Sequence, residues 1–558
     1  MAEDYNRDAP LGAEDAAKRE DVADVFVDVR ELIPQTSLHT NDIKAIRIVV
    51  GKKGSGKTHI LRYIESESQG ARTVIYCTLS DNAIPIALES QFSREVDRPH
   101  ARSRWSKFWR IVLSVSILSR FISAAADVPQ RRAATKFLID QGYTRDEVRA
   151  DEWKTTRELL IRHFADSYFP KDFSFRLANL RGPRDPTSVI HRLLDGVHSL
   201  RAMDELIDFV EVSGLEAEIG ALAKGYRPFH IIIDGIDDVS WRQPRAWLDF
   251  QVGLFDATFY FQETLRSSEQ VAVTVAMRNF IYLSAAESPH IDRIRNLLSL
   301  NWTPTSALAF LNRRLNQIAK NSFADAPKLA SDRPLAAWLG FDSVVAVRRS
   351  VEESVEAYVL RHTRLSPRNL IRLFNLLVQE KNRKTSRQET FDADDFRQIV
   401  GRIGEEVAEL MLKVAAEEII AFIAEVSDTV VRAKRSEGVV TWVAWTLEEA
   451  IRAVGNEVMD AARYDRFLVQ LLEAILPDHL LKDRASGSKF EEYMRTVELV
   501  LWRCNVIAFR DDRRFKPGWV FSWSPREDVK PQGGGDVGFH SALIPKCDLE
   551  VSEHGPVF

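Results

Sequence analysis

The stretch Ala45-Ile46-Arg47-Ile48-Val49-Val50-Gly51-Lys52-Lys53-Gly54-Ser55-Gly56-Lys57-Thr58 decides the fold. Its first half is a short β-branched run that stops at a glycine, which is typical of a buried strand. Its second half matches the pattern GxxxxGK[ST] from Gly51 to Thr58. The residues from His59 to Ile64 follow with helical spacing. A strand, a glycine-rich loop and a helix in this order predict a phosphate-binding loop.

Each residue type in this loop has a physical role in phosphate binding. Glycines let the backbone fold closely around a phosphate, so that successive N–H groups point at its oxygens. The following helix adds the positive end of its dipole. We expect Lys57 to bridge the β- and γ-phosphates and the Thr58 hydroxyl to ligate Mg²⁺. The predicted nucleotide-binding residues are Gly51, Lys52, Lys53, Gly54, Ser55, Gly56, Lys57, Thr58 and His59. A glycine-rich turn that binds nothing is the alternative.

Working outward from the loop, we find three further runs that are typical of buried strands, at residues 73–77, 229–234 and 271–276. The order strand, loop, helix, strand predicts an α/β unit with a parallel sheet. Residues from about 85 to 225 lack β-branched runs and predict a helical insertion. The pattern after Trp302 is helical to about Val426. Two later helices and a hairpin with a charged turn predict a winged-helix-like module.

A metal site needs an acidic group beside the loop. The sequence supplies one in the stretch Ile231-Ile232-Ile233-Asp234-Gly235-Ile236-Asp237-Asp238. A hydrophobic strand holds Asp234 at the carboxyl edge of the sheet, where α/β sheets bind ligands. There Asp234 can hold Mg²⁺ through water, while Asp237 or Asp238 polarises the attacking water. Three carboxylates this close repel one another without a cation. The alternative is a solvated acidic turn.

These motifs resemble those of the STAND and KAP-like P-loop ATPases, which share the GxKGSGKT-type loop and an apolar strand followed by Asp-Gly, an apolar residue and two acids. The resemblance covers about residues 26–380. It implies a switch ATPase that uses ATP and Mg²⁺ and forms a homo-oligomer or acts on a partner effector protein. It also implies an association with bacterial anti-phage defence.

The resemblance assigns two arginines as well. Met277-Arg278-Asn279 is similar to the family's sensor strand, which makes Arg278 a candidate catalytic residue, with a structural arginine as the alternative. Ser366-Pro367-Arg368 resembles the start of a lid helix, from which Arg368 would reach the nucleotide. Helix packing is the alternative for Arg368.

The predicted domains follow from these patterns and from the resemblance. They are a disordered acidic tail (1–24), a P-loop ATPase domain (25–302) with its helical insertion, a helical lid (303–430), a winged-helix-like domain (431–526) and a C-terminal tail (527–558).

Composition narrows the choice of function classes. The formal charge of −5 argues against a chain that coats nucleic acid throughout, although a local basic face remains open. Three widely spaced cysteines argue against a disulfide scaffold, and neither a secretory signal nor a membrane span is recognisable. We therefore expect a cytoplasmic protein without membrane contact.

Other function classes share the phosphate loop. A DNA-bound ATPase resembling origin-binding or helicase-loading proteins is the main alternative, with DNA contacted through the C-terminal domain. The candidates for this contact are Arg510, Arg513, Arg514 and Lys516, and a solvated hairpin tip is the alternative for them. Small-molecule kinases are usually far shorter, and a GTPase would need an NKxD motif, so ATP is favoured over GTP.

Overall fold

A computed structural model describes residues 43–78, 98–123, 127–148, 152–170, 189, 200–235, 244–265, 270–285, 296–322, 333–346, 351–426, 438–481, 488–511, 518–520 and 535–552. They belong to two compact units. The first unit draws on Thr36–Gly51 and Lys57–Ser299, and the second on Lys52–Gly56 and Leu300–Phe558. The predicted tail over 1–24 lies outside the described residues.

The first unit combines a five-stranded sheet with helices. A 3₁₀ turn at Ile43–Ala45 precedes the first strand. The strands are β1 (Ile48–Gly51), β2 (Thr73–Thr78), β3 (Phe229–Asp234), β4 (Val271–Met277) and β5 (Leu297–Leu300). The helices are α1 (Lys57–Ser68), α2 (Arg98–Ser123), α3 (Val128–Asp140), α4 (Arg145–Val148), α5 (Trp153–Tyr168), α6 (Leu200–Phe209), α7 (Val212–Lys224), α8 (Pro244–Leu265) and α9 (Asn279–Ser284).

The strands lie in the order β2-β3-β4-β1-β5. Strand β1 pairs with β4, β4 with β3, and β3 with β2, each in parallel. Every residue of β3 and β4 is buried, which is why these strands are almost wholly apolar. The predicted α/β architecture with a parallel sheet is confirmed. Strand β5 was not predicted, because its four residues are too few to show a period.

One polar side chain, His230, is buried within β3. Its Nε2 lies 2.8 Å from the Thr274 hydroxyl, which donates to the carbonyl oxygen of Ile46 at 2.7 Å. Because the Thr274 hydroxyl donates its proton to Ile46, Nε2 of His230 must donate to the Thr274 oxygen. Nδ1 then accepts a hydrogen bond from the Ser68 hydroxyl at 3.0 Å. Burial, reinforced by nearby arginines, lowers the pKa of His230 to about 3. A neutral imidazole therefore links β3 to α1 and β4.

The described residues between β2 and β3 are helical, as the sequence predicts. Helix α2 packs closely on α8, where the Trp105 and Phe250 rings meet edge to face at 4.8 Å. Trp109 Nε1 donates to the carbonyl of Phe250 at 3.0 Å. A Cβ on Gly253 would come within 2.4 Å of Trp105 Cβ, so the absence of a side chain permits the close crossing.

The second unit is mainly helical. Its helices are α10 (Pro304–Ser322), α11 (Pro334–Leu339), α12 (Val355–Thr363), α13 (Pro367–Ser386), α14 (Ala393–Val426), α15 (Val439–Val454), α16 (Ala461–Ile475), α17 (Asp478–Leu481), α18 (Ser488–Arg503) and α19 (Leu543–Cys547). Its strands are β6 (Ser343–Ala346), β7 (Val351–Ser354), β8 (Val458–Met459), β9 (Ile507–Asp511), β10 (Gly518–Val520) and β11 (Val537–Phe539). Strands β6 and β7 form an antiparallel pair within the stretch that the sequence predicts to be helical.

The C-terminal part differs from the prediction in one respect. Helices α16 and α18 and the antiparallel pair β9–β10 follow in the predicted order. The predicted tail over 527–558, however, contains β11, which pairs with both β9 and β8, and the buried helix α19. The glycines at 533–535 are typical of a linker, but the apolar residues after them pair with strands distant in sequence. The tail prediction is wrong over 535–552.

No helix in the described ranges is both long and apolar enough to cross a membrane. The cytoplasmic location stays a prediction.

Candidate functional site

The glycine-rich loop joins β1 to α1, as predicted. Strand β1 ends at Gly51 and α1 begins at Lys57. Gly54 and Gly56 have φ values of +81° and +96°, which L-residues with a side chain rarely adopt. The N–H of Ser55 donates to the carbonyl of Lys52 at 3.2 Å and closes a tight turn. The conformation of the loop therefore requires glycine at positions 54 and 56.

Lys57 is the first residue of α1 and is only 7% exposed. Its ammonium donates to the carbonyl oxygen of Gly51 at 3.1 Å, so the side chain folds back along the loop that precedes it. Thr58 and His59, the next residues of the helix, are half-buried. Lys57 is therefore a buried cation in the N-terminal turn of a twelve-residue helix, and such a turn can bind a phosphate group.

Within the second unit, the loop contacts the segment that the sequence predicts to start a lid helix. The Ser366 hydroxyl donates to the carbonyl of Gly54 at 3.0 Å. A Cβ on Gly54 would lie 2.7 Å from Ser366 Oγ and 3.5 Å from Arg368 Cβ. Trp302 Nε1 donates to the carbonyl of Ser55 at 3.0 Å. The sequence did not predict these contacts, because they join residues almost 250 or more positions apart.

Asp234 ends β3, as predicted, and is 5% exposed. Its Oδ2 accepts from the Tyr76 hydroxyl at 3.0 Å, and its Oδ1 accepts from the N–H of Gly235 at 2.9 Å. Burial, and then the charge of Asp234, raise the pKa of Tyr76 far above its usual value. The hydroxyl is therefore a neutral donor that orients the carboxylate.

Tyr76 was not predicted from the sequence to belong to the site. Thr78 lies opposite Asp234 in the parallel register, so Tyr76, two residues earlier, points to the same face of the sheet. The guanidinium of Arg62 lies 3.8 Å from the centre of the Tyr76 ring and also bonds to Glu65 at 2.8 Å. The alternation of side chains between the two faces of β2 could have indicated Tyr76 only if the pairing of β2 with β3 had been known.

The strand order sets the spacing of the site within the first unit. Strand β4 lies between β1 and β3, so Asp234 is two strands away from the strand that leads into the loop. At about 4.8 Å per strand this is a separation of roughly 10 Å. Arg278 directly follows β4 and is buried. Because Val50 is level with Met277, Arg278 lies at the height of Gly51.

Other predicted residues cannot be placed. Asp237 and Asp238, with Arg513, Arg514 and Lys516, lie outside the described residues. Arg510 is described and pairs with Asp536 at 3.2 Å. Among the described residues, the structure has no group of three or more His, Cys, Asp or Glu side chains arranged to hold a metal.

The fold and the loop together define the class: this is an α/β protein with a P-loop NTPase core. Over residues 13–181 the chain is similar to the ORC-CDC6-like family. That stretch includes β1, the loop and β2 and ends before β3. The similarity supports a relationship with P-loop ATPases of the ORC-CDC6 type and does not specifically support the STAND or KAP families. No curated protein and no solved structure matches the chain.

Proposed function

We propose that the protein is an Mg²⁺-dependent ATPase that acts as a nucleotide-controlled switch. The observation that carries this proposal is the common edge of the parallel sheet, where Lys57 follows β1 and Asp234 ends β3. The two side chains have opposite charges, and both are buried. Their strands are about 10 Å apart, which leaves space for a triphosphate and its metal ion.

The residues of the first unit would bind the phosphates, hold the metal ion and activate the attacking water. Lys57 would neutralise charge on the β- and γ-phosphates, and Thr58 would contribute a hydroxyl ligand to Mg²⁺. Asp234, oriented by Tyr76, would hold the ion through water. When bound, Mg²⁺ stabilises the negative charge that develops on the transferred phosphoryl group. Asp238 or Asp237 would polarise the attacking water.

The arginines would respond to the terminal phosphate. Arg278 follows the strand that lies between β1 and β3, which suits a residue that detects the γ-phosphate. Arg368 lies beside Gly54, so a shift of the loop would displace the start of α13. These contacts support a switch, since Ser366 and Trp302 both bind carbonyl groups of the loop.

The finer assignment includes the domain boundaries. We propose a P-loop ATPase domain over 25–302, a lid over 303–430 and a winged-helix-like domain over 431–526. We further propose that the switch drives homo-oligomerisation or the control of an effector, as in STAND and KAP-like ATPases, with anti-phage defence as its setting. Light scattering with ADP and with a non-hydrolysable ATP analogue tests assembly: the account expects a larger mass with the analogue, and an unchanged monomer argues against it.

A DNA-bound ATPase is the second candidate, and the similarity to the ORC-CDC6-like family favours it. The C-terminal part, with its helices and the β9–β10 pair, is the proposed DNA-binding region. Binding of duplex DNA that weakens steeply with salt supports this candidate, because the release of counterions from phosphates sets that slope. The absence of binding at low salt excludes it.

The decisive experiment for the ATPase separates binding from turnover in Asp234→Asn. We expect this variant to keep a measurable affinity for ATP while hydrolysis falls at least a hundredfold, because the amide cannot supply the negative charge that holds Mg²⁺. Asp249→Asn, which alters an aspartate of α8 paired with Arg102 at 3.1 Å, is the matched control. Equal hydrolysis in Asp234→Asn and the parent would contradict the proposal.

A further inference from the structure

A small cavity of about 40 Å³ lies beside the phosphate loop, within the second unit. At about 10–15 Å³ per water, it has room for roughly three waters or for one small ion. Its walls come from the loop, the end of β5 and the residues after it, the turn between α12 and α13, the first turn of α13, α14 and the turn after α18. The lining residues are Lys52, Lys53, Ser55, Leu300, Asn301, Trp302, Arg364, Leu365, Ser366, Asn369, Leu410 and Asn505.

The cavity is strongly cationic. Lys52, Lys53 and Arg364 line it, and none of its lining residues is acidic. Burial, and then the charge of Arg364, lower the pKa of Lys52 to about 8. Glu418 is the acid that interacts with this cluster, and burial raises the pKa of its carboxyl group. The cluster therefore has more positive than negative charge.

Two buried polar atoms, each on a residue that lines the cavity, lack a hydrogen-bond partner among the described residues. They are Nη2 of Arg364 and Oγ of Ser55. The two residues are 7% and 4% exposed, so bulk water does not solvate them freely. A buried donor without a partner costs free energy, and a charged one costs more than a neutral one. Both groups indicate that the cavity holds a polar ligand.

The turn that carries Arg364 is strained. Arg364 and Leu365 both have φ values of +56°, in the left-handed region that residues with a side chain rarely occupy. Two such residues in succession store backbone strain, which is common where a fold holds ligand-binding groups in place. Arg364, in this turn, is one of the residues that line the cavity.

The residues that line the cavity differ from the groups expected to bind the nucleotide phosphates. Those phosphates would be bound by the backbone N–H groups of the loop together with Lys57. Lys57 is not part of the cavity wall, and its ammonium bonds to the carbonyl of Gly51. From the loop, the cavity is lined instead by Lys52, Lys53 and Ser55.

We propose that this cavity is a second anion site, which binds one small inorganic oxyanion, represented by phosphate. Arg364 and Ser55 donate hydrogen bonds to its oxygens, and Lys52 and Lys53 balance its charge. The site lies beside the nucleotide loop, and phosphate binding there does not require ATP hydrolysis. An anion there holds the loop against the turn between α12 and α13.

The test is equilibrium dialysis of the full chain with radiolabelled inorganic phosphate at constant ionic strength, set with chloride. We expect one saturable phosphate per chain, at least tenfold weaker binding in Arg364→Gln, and weaker binding in Ser55→Ala. Arg372→Gln, which removes an arginine of α13 paired with Glu406 at 2.7 Å, is the matched control and should bind as the parent does.

A further variant separates the two anion sites. Lys57→Ala should keep phosphate binding even where it loses ATP binding. The phosphate result therefore stands even if the proposed ATPase activity is not found. If Arg364→Gln does not fold, as judged by circular dichroism, Ser55→Ala and Lys53→Gln replace it. No saturable binding, or binding lost in Lys57→Ala and kept in the cavity variants, overturns the proposal.

Discussion

Tyr76→Phe is the most informative single change at the candidate site. It deletes the hydroxyl that donates to Asp234 at 3.0 Å and keeps the ring over which Arg62 lies. The substitution therefore separates the hydrogen bond to the carboxylate from the packing of β2. If Asp234 holds the metal, the change should alter both stability and Mg²⁺ dependence.

The magnitude follows from the type of bond. A hydrogen bond to a charged group contributes about 1.5–3 kcal/mol, and here the carboxylate is 5% exposed, so water replaces the lost donor poorly. We expect the free energy of unfolding to fall by about 2 kcal/mol. Groups that orient a metal ligand typically contribute about 10- to 100-fold in metal affinity, so the Mg²⁺ concentration for half-maximal hydrolysis should rise at least about tenfold.

Urea unfolding and ATP hydrolysis as a function of Mg²⁺ measure the two effects. Tyr143→Phe, in the turn after α3, is the matched control and should change neither by much. In an Asp234→Asn background, Tyr76→Phe should have a smaller effect on stability, because the charged acceptor is already gone. Parent-like stability together with a parent-like Mg²⁺ dependence would refute the assignment of Tyr76 as a positioning residue.

Three further predictions concern the loop, the buried histidines and the acidic turn. Gly54→Ala should lower the free energy of unfolding by more than Gly142→Ala in urea titrations, because both have positive φ but only Gly54 would also clash with a neighbour, and equal losses would contradict this. Folding lowers the pKa of His230 and of His540 to about 3, so below about pH 6.5 the unfolded chain binds more protons than the folded chain. The free energy of unfolding therefore decreases as the pH is lowered, by up to about 1.4 kcal/mol per pH unit for each histidine. His230→Gln should therefore show a shallower loss of stability between pH 6.5 and 5, and an unchanged slope would argue against a neutral buried His230. Asp238→Asn should retain ATP in the site during filter-binding assays, and turnover equal to that of the parent would remove Asp238 as the water-activating residue.

The sequence predicted the parts of the site that depend on local order. A strand, a glycine-rich loop and a helix follow one another along the chain, so Gly51 to Thr58 could be assigned from spacing alone. Asp234 could be assigned because an apolar strand ends there. Both rest on the same rule, that the carboxyl edge of a parallel sheet collects ligand-binding groups.

The missing parts depend on contacts between distant residues. Nothing local shows that β4 lies between β1 and β3 or that Tyr76 is next to Asp234. Ser366 and Trp302 reach the loop from more than 240 residues away. Strand β11 follows a glycine-rich stretch and is stabilised by pairing with β9, so periodicity in three residues could not reveal it.

The central claim is that Lys57 and the glycine-rich loop bind ATP. Equilibrium binding of a fluorescent ATP analogue to the purified full chain, in the presence of Mg²⁺, tests it most directly. We expect saturable binding of one nucleotide per chain, displaced by unlabelled ATP, and a loss of at least a hundredfold in Lys57→Ala while Lys44→Ala, before β1, binds normally. Equal affinity in the parent and in Lys57→Ala would contradict it.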